Sequence, residues 1–239
     1  MKRFLIFFLV ISVVFASCRF FTETIRGNGH VKIENRSVGS FSRVDVSSNI
    51  NLYITQSDTS SVRVETDENL QEFIEVTTSG DELEIRMRNN VSLSPSGKLK
   101  VYVSGPAFRK LSASGACHIY SEGKITSEEK LDIDLSGASG AVLDLNAPRI
   151  EAGLSGAGSL DLKGQTKELN IDGSGSSDIN CFELMAESVK LDISGAGSAR
   201  VFASVKLDVH ISGAGSVEYK GNAAVSQSIS GAGSIKKVD

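Results

Sequence analysis

From residue 109 to the C-terminus, apolar and polar positions alternate with a period of two, interrupted at regular intervals by a run of small residues. The runs are SGACH at 114, SGASG at 136, SGAGS at 155, SGSSD at 174 and SGAGS at 194, 212 and 230, spaced by 22, 19, 19, 20, 18 and 18 residues. Just before them stand Ala113, Leu135, Leu154, Gly173, Ile193, Ile211 and Ile229; two positions earlier come Leu111, Ile133, Ala152, Ile171, Leu191, Val209 and Gln227. Asp132, Asp134, Asp172, Asp192 and Asp208 fall on the alternate, polar positions. Period two with one apolar face predicts half-buried strands. A second alternation follows each run, its first apolar column filled by Ile119, Ala141, Leu160, Ile179, Ala199, Val217 and Ile235. The predicted unit is strand, small-residue corner, strand and variable turn, with turns at 146–148, 164–166 and 221–222.

Seven near-copies mean a repeat architecture. A unit of 18–22 residues has a contour of roughly 60–70 Å, one small coil of a parallel β-solenoid, and coils stack about 4.8 Å apart. An antiparallel meander is the rival arrangement, but hairpins do not require the same residues at five successive positions. Stacked coils do, because equivalent positions lie directly above one another. Gly at 115, 137, 156, 175, 195, 213 and 231 fits a bend needing positive φ or close backbone approach.

The N-terminal half is β-rich and less regular. Val44, Val46, Ile50, Leu52 and Ile54 predict a first pair of strands, and Val62–Val64, Ile74–Val76, Leu83–Met87 and Leu99–Val103 predict others. Ser79-Gly80-Asp81 reads as a hairpin turn, and 67–70 as a short helix or turn. Residues 19–40 read as a tether ending in an edge strand from Val31 to Ile33.

RGNGHVKIENRSVGSFSRVDVSSNINLYITQSD at 26–58, LKVYVSGPAFRKLSASGA at 99–116 and the SGAGS coils together resemble the putative auto-transporter adhesin, head GIN domain family, found in exported proteins of Bacteroidetes-type bacteria. The resemblance spans about 26–238. It implies an all-β, right-handed parallel β-helix or solenoid, with about seven C-terminal coils and a less regular N-terminal part. It also implies a surface or periplasmic role without established catalytic residues. Asn49-Ile50-Asn51 stands where Gly-Ile-Asn is expected, and Asn tolerates the left-handed backbone such a turn needs.

The N-terminus adds an address. Lys2 and Arg3 precede an apolar run from Phe4 to Phe15, too short to span a bilayer as a helix, and small residues lead to Cys18. Phe15-Ala16-Ser17-Cys18 resembles a lipobox with Phe15 in place of the usual Leu, so Cys18 is the expected lipidation site. The alternative is ordinary cleavage after Ala16 or Ser17. Removing 1–17 takes Lys2 and Arg3 from 25 basic residues, leaving 23 against 29 acidic ones, a net charge of −6. That balance argues against nucleic acid and anionic membrane surfaces as partners.

Candidate chemistry is sparse. The Ser ladder at the corners lacks a base, since the three His residues are His30, His118 and His210, and the last two are about 24 Å apart along such a stack. No cofactor or metal is expected. Cys117 and Cys181 fall in different coils, about 14 Å apart, too far for a disulfide, and predict two free thiols. Asp172 and Asp192 share an outward column in adjacent coils, with Lys190 and Asp208 alongside. Such spacing could serve an acid and base, or Ca²⁺, but a solvated charged face that prevents edge association is the favoured explanation. His118 and Tyr120 point outward on the first coil and suit a sugar ring.

The sequence therefore predicts a signal peptide at 1–17, a tether and edge strand at 18–40, and a solenoid domain at 41–239, irregular over 41–105 and coiled over 106–239. The expected function is a non-catalytic, lipid-anchored adhesion module of the cell envelope that binds a glycan or protein. It would sit in the outer membrane, at the cell surface or on the periplasmic face. A self-associating envelope scaffold and a polysaccharide-active enzyme using the stacked Asp residues are the alternatives. The oligomeric state is left open.

Overall fold

The computed structural model describes residues 23–239. The expected signal peptide and Cys18 lie outside the described residues. The N-terminal part runs β1 (Glu23–Arg26), β2 (Val31–Arg36), β3 (Arg43–Ser48), β4 (Asn51–Gln56), β5 (Ser61–Asp67), a 3₁₀ turn (Glu68–Phe73), then β6 (Ile74–Ser79), β7 (Glu82–Met87), β8 (Val91–Ser94) and β9 (Lys100–Gly105). The repeats supply β10 (Lys110–Gly115), β11 (His118–Thr126), β12 (Leu131–Gly137), β13 (Gly140–Gly156), β14 (Ser159–Gly175), β15 (Asp178–Gly195), β16 (Ser198–Gly213), β17 (Ser216–Lys220), β18 (Ala224–Gly231) and β19 (Ser234–Lys237).

The chain is a β-solenoid of about seven turns with a more irregular N-terminal part. Strands before each small-residue corner stack in parallel as a first wall: β7, β3, β10, β12, then the second halves of β13 to β16, then β18. Strands after the corner stack as a second wall: β9, β4, β11, the first halves of β13 to β16, β17 and β19. The two apolar columns of each unit meet between the walls. Leu135, Leu154, Ile133, Ile171, Leu160 and Ile179 are among the fully buried core.

The corners show why their residues are small. The amide of Ala138 donates to the Gly115 carbonyl at 2.7 Å, Ala157 to Gly137 at 2.8 Å, and Ala196 to Gly175 at 2.9 Å, making a hydrogen-bond ladder along the corner. A Cβ on Gly137 would stand 2.6 Å from that same Gly115 oxygen, and φ there is 75°. Glycine is thus required twice, for its left-handed backbone and for the close approach of the coil below.

Three details differ from the sequence reading. The expected turns at 146–148 and 164–166 keep their ladder pairing except at Pro148, so the chain bends within the long strands β13 and β14. The left-handed residue of the first GIN phrase is Ser48, with φ 90°, because the register sets Ser48 opposite Gly115; Asn49 is not the bend. Within 18–40, the segment read as tether and edge strand, β1 pairs in parallel with β8, and β2 extends to Arg36 and pairs antiparallel with β5.

The two ends of the stack are unlike. At one end, antiparallel strands β6 and β5 close the parallel walls, with β2 outermost. Lys32, Glu34 and Arg36 lie along β2 in ion pairs of 2.8–3.3 Å, charge that discourages further strand pairing. At the other end of the described residues, Val225 and Ile229, which sit in core columns by register, are 40% and 39% exposed.

Candidate functional site

The outward columns of the second wall hold the most distinctive side chains. Tyr102 of β9, Tyr53 of β4 and Tyr120 of β11 are register partners in successive layers. Their rings stack at centroid distances of 5.2 Å for both pairs, with interplanar angles of 23° and 22°. The Arg63 guanidinium lies over Tyr102, 5.2 Å from its centroid, and closes that end of the ladder. The Tyr102 hydroxyl donates to Glu65 at 2.9 Å, and Lys100 donates to the other Glu65 oxygen at 2.8 Å. The Lys100 hydrogen bond, with help from Tyr102, holds the Glu65 carboxyl below its ordinary pKa. His118 stands beside Tyr120, ring centroids 6.3 Å apart and planes within 13°.

His118 and Tyr120 were legible as outward residues of one strand. Tyr53, Tyr102 and Arg63 were not, because Tyr53 and Arg63 lie 67 and 57 positions before Tyr120 and Tyr53 sits in space between Tyr120 and the later Tyr102. The missed signal is the shared phrase: NLYIT, KVYVS and HIYSE each carry Tyr at the same outward place.

The candidate aspartates Asp172, Asp192 and Asp208 occupy the first wall, apart from the tyrosine strip. One outward column reads Asp45, Ser112, Asp134, Gly153, Asp172, Asp192 and His210. Asp172 and Asp192 are direct partners in adjacent coils, whereas Asp208 lies in the neighbouring column opposite Lys190. Asp192 is ion-paired to Lys190 at 2.7 Å, and Asp134 to Lys110 at 2.7 Å. Asp208 lies 3.9 Å from Lys206 and 3.5 Å from His210. The missing side chain of Gly153 leaves a shallow groove of about 470 Å³ bordered by Asp134, Asp172 and Lys190. At the end of this column, burial and then the nearby Glu82 and Glu84 raise the Asp45 pKa. Among the described residues, no group of three or more His, Cys, Asp or Glu is placed to hold a metal ion.

The two cysteines within the described residues are free and buried, in different coils. Burial pushes the Cys117 thiol up to about 11 and the Cys181 thiol higher still, so both are inert core side chains at neutral pH. Outward Arg200, Glu218 and Lys236 form a charge ladder on the second wall near the C-terminal end of the described residues, with 3.8 Å between Arg200 and Glu218. No helix among the described residues is long and apolar enough to cross a membrane.

Comparison with known proteins places this geometry. A family model described as putative auto-transporter adhesin, head GIN domain, matches residues 40–223. A putative adhesin from Bacteroides fragilis has a similar structure, with TM-score 0.85 and 23% identity, over 90% of this chain and 100% of that one. A putative adhesin from Parabacteroides distasonis aligns with TM-score 0.74 and 26% identity, again over 90% and 100%. A putative lipid binding protein from the same species aligns with TM-score 0.74 and 22% identity, over 91% and 100%. No curated protein matches the chain.

Proposed function

The chain belongs to the putative auto-transporter adhesin, head GIN domain family, and we propose that it works as a non-catalytic adhesion module held at the cell envelope by a lipid on Cys18. The observation that carries this reading is the half-buried tyrosine strip on the outward face of the second wall. Its stacked Tyr102, Tyr53 and Tyr120 form an ordered strip on a rigid sheet, where contact with a partner requires little loss of side-chain freedom. The adhesin descriptions of the family and of the structural neighbour at 26% identity point the same way. The lipid-binding description of a neighbour at 22% identity carries over the fold alone.

Cys18 stands five residues before Glu23, a reach of about 18 Å, and β1 is tied to β8 in the irregular part of the chain. A lipid there presents the capped end of the rod to the bilayer and the coils outward. Cys18→Ala is expected to move the protein from the membrane fraction to the soluble one. Retention of the variant in membranes would remove the anchor from the proposal. Beads coated with residues 19–239 test adhesion itself: they should bind surfaces that the native cells bind, and protease applied to intact cells should cleave the native protein. Failure of the beads to bind would overturn the adhesion reading.

One observation favours a second reading. The exposed apolar side chains of Val225 and Ile229 suit a self-associating scaffold, and concentration-dependent light scattering separates the two. Cleavage of a polysaccharide, lost in Asp172→Asn, would overturn the non-catalytic assignment.

A further inference from the structure

The tyrosine ladder has one free end. Both faces of Tyr102 are covered, by Arg63 and Tyr53, and both faces of Tyr53, by Tyr102 and Tyr120. Tyr120 is covered by Tyr53 on one side only. On its other side the column continues with Val142, then Asp161, then Asn180. Val142 is too short to reach up the ring and is itself 48% exposed. In the next column the partner of His118 is Gly140, where a Cβ would come 3.0 Å from His118 Cδ2 and 2.6 Å from Ser159 Oγ. Glycine at 140 therefore lets the imidazole lean over its backbone, next to the phenol ring and with the two ring planes within 13°. The floor before the phenol ring is the exposed apolar surface of Val142, while Gly140 is buried beneath His118 and Ser159.

The far side of the ledge is polar. Asn180 Nδ2 donates to Asp161 Oδ2 at 3.0 Å, leaving Asp161 Oδ1 and the Asn180 carbonyl free as acceptors and one amide hydrogen free as a donor. Tyr120 and Asp161 are two coil steps apart, about 9.6 Å at the backbone. A saturated six-membered ring stacked at about 4 Å on the phenol face leaves about 5–6 Å to the Asp161–Asn180 pair. A hydroxymethyl arm of the sugar and its hydrogen bond of about 2.8 Å span that gap.

Resting on the adhesion reading, we propose that this ledge binds an uncharged pyranose of a glycan. The apolar face of the sugar packs on Tyr120 and His118 above Val142, and its hydroxyls bond to Asp161 and Asn180. The charge of the ledge selects against acidic sugars. The Asp161 carboxylate faces the ligand, and Asp178 lies in the adjoining column bonded to Ser198. The nearby cations Lys124 and Lys163 already face Asp144, at 3.9 and 4.0 Å, on the opposite flank, and Arg200, the next residue of the column after Asn180, faces Glu218 at 3.8 Å. A sulfate or uronate would meet carboxylates without a free cation in the slot.

The test is affinity electrophoresis of residues 19–239 through gels containing laminarin, mannan, galactan, xylan or hydroxyethyl cellulose, with dextran sulfate as the acidic comparison. At least one neutral polysaccharide should retard the protein and dextran sulfate should not. Tyr120→Ala should weaken retardation about tenfold, the loss of one ring contact. Asp161→Ala should weaken it independently, with melting temperatures of both variants close to the parent. Absence of retardation by every neutral polysaccharide, retardation by dextran sulfate alone, or unchanged retardation in Tyr120→Ala overturns the proposal. If coated beads still adhere when Tyr120 is Ala, or after periodate treatment of the target surface, the glycan assignment fails while adhesion stands and the partner is a protein.

Discussion

Gly195→Val abolishes cooperative folding of the coils on either side of it. Gly195 sits at φ 112°, a conformation that costs a residue with a Cβ about 1–2 kcal/mol and a β-branched one more. Space adds to the penalty. A Cβ at 195 overlaps the Gly175 carbonyl oxygen, the acceptor for the Ala196 amide, so the side chain and the corner hydrogen bond compete for one place. Relief requires the coils to separate, which breaks parallel ladders on both walls. The combined cost exceeds about 4 kcal/mol, in the range of the most damaging single substitutions. Because each coil is stabilised mainly by its neighbours, the damage divides the stack instead of spreading evenly. Urea unfolding should show a lowered, broadened or split transition.

Gly173→Ala supplies the comparison. Gly173 lies in the core column between Leu154 and Ile193, its φ is not positive, and a Cβ there meets only ordinary contacts of 3.6–3.8 Å. That variant should be as stable as the parent or more stable by about 0.5–1 kcal/mol. Equal melting of Gly195→Val and Gly173→Ala would mean that the repeated glycines are not corners of stacked coils.

The contrast also explains what the sequence could reveal. Strict alternation from Leu111 onward, with Gly returning every 18–22 residues, carries its own register, since a one-residue slip would turn every Leu and Ile outward. The N-terminal layers lack that marker. Ser47-Ser48 stands where the repeats have Ser-Gly, so the β3–β4 layer does not announce itself as a coil. Nor does its place follow chain order: it lies between the β7–β9 layer, which comes later in sequence, and the β10–β11 layer. The candidate site inherits the difficulty. Tyr53 separates Tyr102 from Tyr120 in space although it precedes both in sequence, so the ladder exists only once that insertion is known. Asp172 and Asp192, within the regular coils, were placed as neighbours from spacing alone. Arg109 shows the limit of column counting: it stands in a core column by spacing yet is exposed, while Phe108 fills the buried space.

A second large effect is expected at Asp67, in the irregular part where periodicity says nothing. Its carboxylate is 1% exposed and accepts three hydrogen bonds, from the Gly29 amide at 2.7 Å, the Ser96 amide at 2.8 Å and the Ser96 hydroxyl at 2.6 Å. These bonds join the loop between β1 and β2 to the segment after β8. Gly27 is part of the same arrangement, since a Cβ there would overlap the Asp67 carboxyl group. The Ser96 hydroxyl first, then the Ser96 and Gly29 amides, hold the Asp67 pKa below its ordinary value against the opposing effect of burial. Asp67→Asn keeps the shape but removes the charge and turns an acceptor into a donor facing donors, at a cost of about 2–4 kcal/mol at neutral pH. The pH dependence fixes the cause. A carboxyl whose folded pKa is depressed contributes its stability above the unfolded value of about 3.9 and loses it as pH falls through the lower folded value. The melting-temperature gap between parent and Asp67→Asn should therefore be constant from pH 7 to about 5 and shrink below about pH 4. A gap that persists unchanged into that acid range would show that Asn fails at position 67 for steric reasons and not for want of a charge.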